Sequence, residues 1–242
     1  MDFVAGVWQN NSKIMTGKTA TLIGATGLIG GELLKLLLDD GYFESIRVLV
    51  RRPFAIEHPK LEKKLIDFGD NDSLLVALDN SDVIFSAIGT TQKQVKGDKD
   101  AYRKIDYDIP VHAAKFGKMT GCKSFVLVSS VGANSNSNTF YLKLKGEVEN
   151  AVRNSGIETV HIMRPSMLLG ERKEFRLAEK IGSPLMSAFS FLLPSKFKPI
   201  HARDVAKAML VAAKESKKGI FVYEYSDIKR LINNKEQLIT NN

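Results

Sequence analysis

The chain has a single cysteine, Cys122, so no disulfide can form within it, which fits a reducing compartment. It contains no apolar run approaching the roughly 18 residues of a membrane span. The first residues, Met1 to Trp8, lack the basic opening and long apolar stretch of a signal peptide. These absences predict a cytoplasmic protein with no membrane span. The four histidines, His58, His112, His161 and His201, lie far apart and show no metal-ligand spacing, so no metal site is expected. Aromatic residues are few, at 8%, and form no platform among the basic ones. The net charge of +8 is scattered in brief runs such as Lys60/Lys63/Lys64 and Lys214/Lys217/Lys218. That pattern predicts a solvated surface with one local pocket for an anion. It argues against nucleic-acid binding.

What is present is ordinary globular composition, 44% hydrophobic and 26% charged, over 242 residues. That length suits one α/β domain with a full core and is short for two. Residues 1–17 read as an N-terminal arm and 18–242 as one domain. Strand-like apolar runs occur at Ala20–Ile23, Ser45–Val50, Lys64–Phe68, Asp82–Gly89, Ser124–Ser130 and Glu158–Arg164. Helical periodicity follows the first of them, from Glu32 to Leu38. It returns at Asp72–Leu78, from about Asp98 to Thr120, and from about Phe140 to Asn154. Strands apolar throughout and alternating with helices predict a doubly wound parallel sheet covered on both faces.

The first strand ends in Gly24-Ala25-Thr26-Gly27-Leu28-Ile29-Gly30, and a helix opens on that turn. The first N–H groups of such a helix have no partners inside it and face the turn, where the macrodipole favours an anion. Gly24 suits the tight turn, Gly27 admits a phosphate close to the main chain, and Gly30 lets the helix sit tightly on the sheet. The spacing predicts a dinucleotide site; a plain turn is the alternative.

The second strand ends in Arg51-Arg52. A residue about 20 positions after the glycines meets the adenosine ribose, and an acid there would bind the 2′-hydroxyl of NAD. A guanidinium instead can hold a 2′-phosphate through two charge-assisted hydrogen bonds, which predicts NADP(H). Two surface arginines at a strand end are the plain alternative. Asp67 is placed either to accept from the adenine amine or to cap the next turn.

Tyr141 and Lys145, four apart on a helix, share one face. An ammonium beside a phenol makes it a usable proton donor or acceptor near neutral pH. Tyr225 and Lys229 have the same spacing. Only Tyr141 follows a strand whose carboxyl end carries serines, Ser129 and Ser130, on the edge where open α/β sheets bind ligands.

The glycine turn, Ser129-Ser130-Val131-Gly132 and Tyr141-x-x-x-Lys145 together resemble the short-chain dehydrogenases/reductases. Arg51-Arg52, Ile88-Gly89-Thr90-Thr91, Gly121-Cys122-Lys123 and the run from Tyr141 to Glu149 narrow the resemblance to an atypical subgroup. That subgroup contains the Tat-interacting oxidoreductase-like, NmrA-like proteins, and the likeness covers about residues 18–230. The resemblance implies a Rossmann-type fold binding NADP(H), with Tyr141 as acid/base and Lys145 on the nicotinamide ribose. Ser130 would hold the substrate carbonyl, with Ser129 as the near alternative. The implied cofactor lining runs from Gly24, Thr26, Gly27, Leu28 and Ile29 to Arg51, Arg52, Asp67 and Phe68. It continues through Ala87, Ile88 and Gly89 to Tyr141, Lys145, Arg164 and Pro165. Many relatives carry an asparagine where this chain offers Asp106.

Residues 170–199 leave the sheet edge, and their second half is apolar, with Leu185, Met186, Phe189, Phe191, Leu192 and Leu193. They read as a small C-terminal segment covering the substrate, which predicts an apolar carbonyl or alcohol substrate. A helix packed on the core, or on another subunit of a homodimer, is the alternative. The functional expectation is an NADP(H)-dependent oxidoreductase. A redox sensor that binds NADP(H) and regulates a partner protein is the rival.

Overall fold

The computed structural model describes residues 17–170 and 194–240. Seven strands form one parallel sheet: β1 (Lys18–Ile23), β2 (Phe43–Val50), β3 (Leu61–Leu65), β4 (Val83–Ser86), β5 (Ser124–Val128), β6 (Thr159–Met163) and β9 (Gly219–Tyr223). Their order is β3-β2-β1-β4-β5-β6-β9. A separate parallel pair joins β7 (Leu168–Leu169) to β8 (Ile200–His201). The helices are α1 (Leu28–Asp39), α2 (Asn71–Ala77), α3 (Lys99–Arg103), α4 (Ile109–Met119), α5 (Phe140–Arg153), α6 (Ala202–Ala213) and α7 (Tyr225–Thr240).

Alternate residues of each central strand enter opposite cores. Leu22 and Val126 join Leu33, Leu37, Val205, Met209 and Ile228, contributed by α1, α6 and α7. Ile23 and Phe125 face the other way, onto Leu74, Ala113, Val148 and Val152 of α2, α4 and α5. Burial on both faces explains why these strands are apolar throughout. This is the doubly wound, Rossmann-type sheet expected from the sequence. Between β1 and β4 the strand order reverses direction, so a crevice opens at the carboxyl ends of those two strands.

Several elements differ from the sequence reading. The third strand lies at Leu61–Leu65, three residues before its expected start, because it is an edge strand with only β2 beside it. Half-exposed Glu62, Lys63 and Lys64 are tolerated there. Strand β9, helix α7 and the β7–β8 pair were not anticipated.

The long helix expected from about Asp98 to Thr120 is present as a helical path with a wider π turn, Lys104–Asp108, between α3 and α4. Pro110 accounts for the change. Its ring would clash with the carbonyl four residues back, that of Asp106, and it has no N–H to donate. A π turn relieves that conflict. Cys122 is buried, and burial pushes its thiol up to about 11. The expected arm and most of the expected covering segment, at 1–16 and 171–193, lie outside the described residues.

Candidate functional site

At the crevice, the turn after β1 brings Gly24 against the end of β4. Gly24 has φ +93°, and a Cβ there would come within 2.6 Å of the Ala87 carbonyl carbon. A Cβ on Gly30 would lie 2.0 Å from the Gly24 carbonyl oxygen, so the first turn of α1 closes on the strand only because that methyl is missing. Among the described residues no side chain caps α1, and its first turn carries no acid. Its leading N–H groups therefore face the crevice with their partial positive charge uncompensated.

Two cavities, of 710 and 850 Å³, share the walls made by Thr26, Gly27, Ala87, Ile88, Gly89 and Gln94, and so form one groove. The larger runs to Arg51, Arg52 and Phe68. Both arginines are exposed, and among the described residues neither enters an ion pair. The smaller cavity runs past Leu28 and Ile29 to Ser130, Tyr141, Lys145 and Pro165. The groove thus gathers most of the residues that the sequence singled out. Two stand apart from its lining. The Asp67 carboxylate accepts from the Gly69 N–H at 2.8 Å, closing its own turn. The Arg164 guanidinium is held by Glu149, with Nε–Oε1 2.9 Å and Nη2–Oε2 2.7 Å.

Tyr141, Lys145 and Glu149 form a stripe down one face of α5, each four residues from the next. They go progressively deeper, at 36%, 6% and 2% exposed. The Tyr141 ring centroid lies 6.0 Å from the Lys145 ammonium. At the bottom, Glu149 accepts from the Ser129 hydroxyl at 2.6 Å as well as from Arg164. Ser129 is therefore committed to the core network. The Ser130 hydroxyl makes only a 3.3 Å bond to the Val131 carbonyl, beside the cavity.

Asp106 enters from the π turn. Its Oδ1 is 2.9 Å from the Lys145 ammonium, and its Oδ2 accepts from the Thr90 N–H at 2.7 Å. Tyr102 completes the brace, its hydroxyl donating to the Thr90 carbonyl at 3.1 Å. Burial disfavours the Lys145 ammonium, but Asp106, helped by Tyr141 and Glu149, outweighs it and raises the lysine's pKa. Burial also raises the pKa of Tyr102, with Asp106 and Tyr141 adding to the effect.

Sequence reasoning noted Asp106 only as a departure from relatives and gave Glu149 no role. Glu149 had a signal in its spacing, eight residues after Tyr141 on the same face. Asp106 had a weaker one, an acid four residues before a proline inside a helical pattern. Tyr225 and Lys229, the second pair at this spacing, fall on α7, where Lys229 bonds Asp204 at 2.7 Å.

A family model described as NAD(P)H-binding matches residues 24–216. Protein FMP52, mitochondrial, of Candida albicans is 36% identical over 208 residues, spanning 82% of this chain and 88% of that protein. Protein HTATIP2 of Rattus norvegicus is 33% identical over 168 residues, spanning 68% and 69%. Among solved structures, a short-chain dehydrogenase/reductase superfamily protein from Agrobacterium tumefaciens with bound NAD matches at TM-score 0.65 and 16% identity. The match covers 91% of this chain and 82% of that one. The expectation of a cytoplasmic protein is overturned, because several FMP52 relatives are named mitochondrial. Cysteine count and an unremarkable start do not separate the cytosol from compartments inside an organelle. No helix among the described residues is long and apolar enough to cross a membrane. The chain belongs to the NAD(P)H-binding family, with the FMP52 proteins and HTATIP2 as relatives.

Proposed function

We propose that the chain is an NADP(H)-dependent oxidoreductase acting on a small carbonyl compound or the corresponding alcohol. One observation carries this reading. A single groove joins the glycine turn and two unpaired arginines to Tyr141, Lys145 and Ser130. The residues fit a dinucleotide: the space kept free by Gly24 and Gly30 and the uncapped start of α1 suit its pyrophosphate. Arg51 and Arg52 suit a 2′-phosphate, which a carboxylate there would repel. When bound, the nicotinamide supplies or takes up the hydride. Tyr141 delivers the proton to the substrate oxygen, and Ser130 donates a hydrogen bond to that oxygen. Lys145 orients the ribose. The mitochondrial names of the relatives support an organellar location.

The test is a calorimetric titration of the purified chain with NADPH and NADH, followed by turnover with a panel of apolar aldehydes and ketones. NADPH binds more tightly, and at least one carbonyl compound is reduced. Equal affinities would remove the cofactor assignment. Tight NADPH binding with no turnover across the panel would favour the sensor reading.

A further inference from the structure

The Lys145–Asp106 pair is almost fully buried, at 7% and 1% side-chain exposure. A lone ammonium near a phenol favours the phenolate, the basic form that alcohol oxidation requires. Here the ammonium has a full negative charge 2.9 Å away, on the wall of the same cavity. An opposite charge this close weakens the field that Lys145 exerts on Tyr141, whose ring centre is 6.0 Å from the nitrogen. We infer that Asp106 is a positioning residue that offsets the Lys145 charge and so keeps Tyr141 in the protonated form, in which it acts as the acid of carbonyl reduction. The inference rests on the proton-donor role proposed above for Tyr141.

The surroundings leave Asp106 as the anion in contact with Lys145 among the described residues. Glu149, one turn deeper on α5, is engaged by Arg164 and Ser129, with Arg153 3.6 Å away. Tyr102, from α3, directs its hydroxyl to the Thr90 carbonyl. On the opposite wall, Glu32 and Lys35 of α1 pair with each other at 2.7 Å. An asparagine at 106 would keep the acceptor for the Thr90 N–H but leave the Lys145 charge uncompensated. The acid therefore does something that its amide would not, and the difference is electrostatic.

The step balances simply. In reduction the hydride forms the new C–H bond, and the Tyr141 O–H bond breaks as its proton passes to the substrate oxygen. The phenolate left behind is reprotonated from water before the next cycle. In oxidation the phenolate must already exist when the alcohol arrives.

The experiment uses the full chain, its tyrosine rings labelled with carbon-13 and the Tyr141 resonance assigned by its loss in Tyr141→Phe. The wild type, Asp106→Asn and the doubly uncharged Asp106→Leu/Lys145→Met variant are titrated with alkali. Asp106→Asn moves the Tyr141 midpoint to lower pH, whereas the double variant stays near the wild type. With an accepted alcohol, Asp106→Asn also moves the rising limb of the pH profile of oxidation to lower pH by about one unit. Coincident midpoints in the wild type and Asp106→Asn would overturn the inference. If Asp106→Asn fails to fold, the doubly uncharged variant decides: a midpoint near that of the wild type is expected, and a large upward shift overturns the inference. A midpoint that moves as stated in a protein without turnover would sink the enzymatic reading but keep the charge compensation. Turnover with coincident midpoints would do the reverse.

Discussion

One end of the groove is lined by the main-chain N–H groups that open α1 and by two exposed arginines, with no ion partner among the described residues. The other end is lined by side chains that are buried, paired and supplied by different helices. The first end depends on an absence of atoms: no Cβ on Gly24 or Gly30, no cap on α1. The second depends on an exact count of charges, Lys145 against Asp106 and Arg164 against Glu149. A backbone site therefore fails when a methyl group is added, and a charge-paired site fails when a charge is removed.

Four experiments sharpen that contrast. The largest effect belongs to Tyr141→Phe, which removes the transferable proton and should lower turnover by about 10²–10⁴-fold. Calorimetry should find NADPH binding nearly unchanged, and Tyr225→Phe, at the other match of this spacing, should change neither. Glu149→Ala comes next. It leaves the Arg164 guanidinium with the longer, 3.8 Å contact to Glu224 in place of its close partner and frees Ser129, and chemical denaturation should show a loss of about 3–5 kcal/mol. At the backbone end, combining Arg51→Ala with Arg52→Ala should weaken NADPH binding by about 10–100-fold and NADH binding very little. A parallel loss for both cofactors would mean that the arginines meet something other than the 2′-phosphate. The smallest effect comes from a pair of neighbouring glycines. Gly30→Ala forces a methyl onto the Gly24 carbonyl and should cost about 1–3 kcal/mol. Gly31→Ala meets only an ordinary 3.5 Å contact and should be neutral or stabilising by up to about 1 kcal/mol. Equal melting temperatures for the two variants would remove the close-packing account of Gly30.

The same contrast explains what could be read from the sequence. The glycine turn was legible because strand, turn and helix are contiguous, and spacing alone places Gly24, Gly27 and Gly30. Arg51 was legible because the end of β2 necessarily lies beside the end of β1. The Tyr141–Lys145 pair was legible as a spacing, and its context after Ser129 and Ser130 separated it from Tyr225–Lys229. Asp106 was not legible as a partner of Lys145, since 38 residues and a strand intervene and nothing local marks the contact. The choice between Ser129 and Ser130 also stayed open, because adjacent residues differ only in which way the chain turns them. The structure directs Ser129 to Glu149. Strand β3 was misplaced because an edge strand need not be apolar, and its lysines masked the pattern. The cytoplasmic expectation failed because composition does not separate the cytosol from the organelle for which the FMP52 relatives are named.

The π turn before α4 makes the site sensitive to chain length. Helical winding advances by about 100° per residue, so one added residue rotates everything before it relative to everything after. Lys104 to Asp108 absorb such a residue, which lets α4 keep its packing while Asp106 points into the groove. Deleting one residue from the turn would spare the α4 face that holds Ile109, Ala113 and Gly117 in the core. It would swing position 106 out of reach of Lys145 and return Pro110 to conflict with the preceding carbonyl. Among relatives, an acid at the aligned position is therefore insufficient to identify this brace. The spacing from the acid to the proline must be kept as well, and that pair of positions is the one to compare when another chain is asked whether it holds its lysine in the same way.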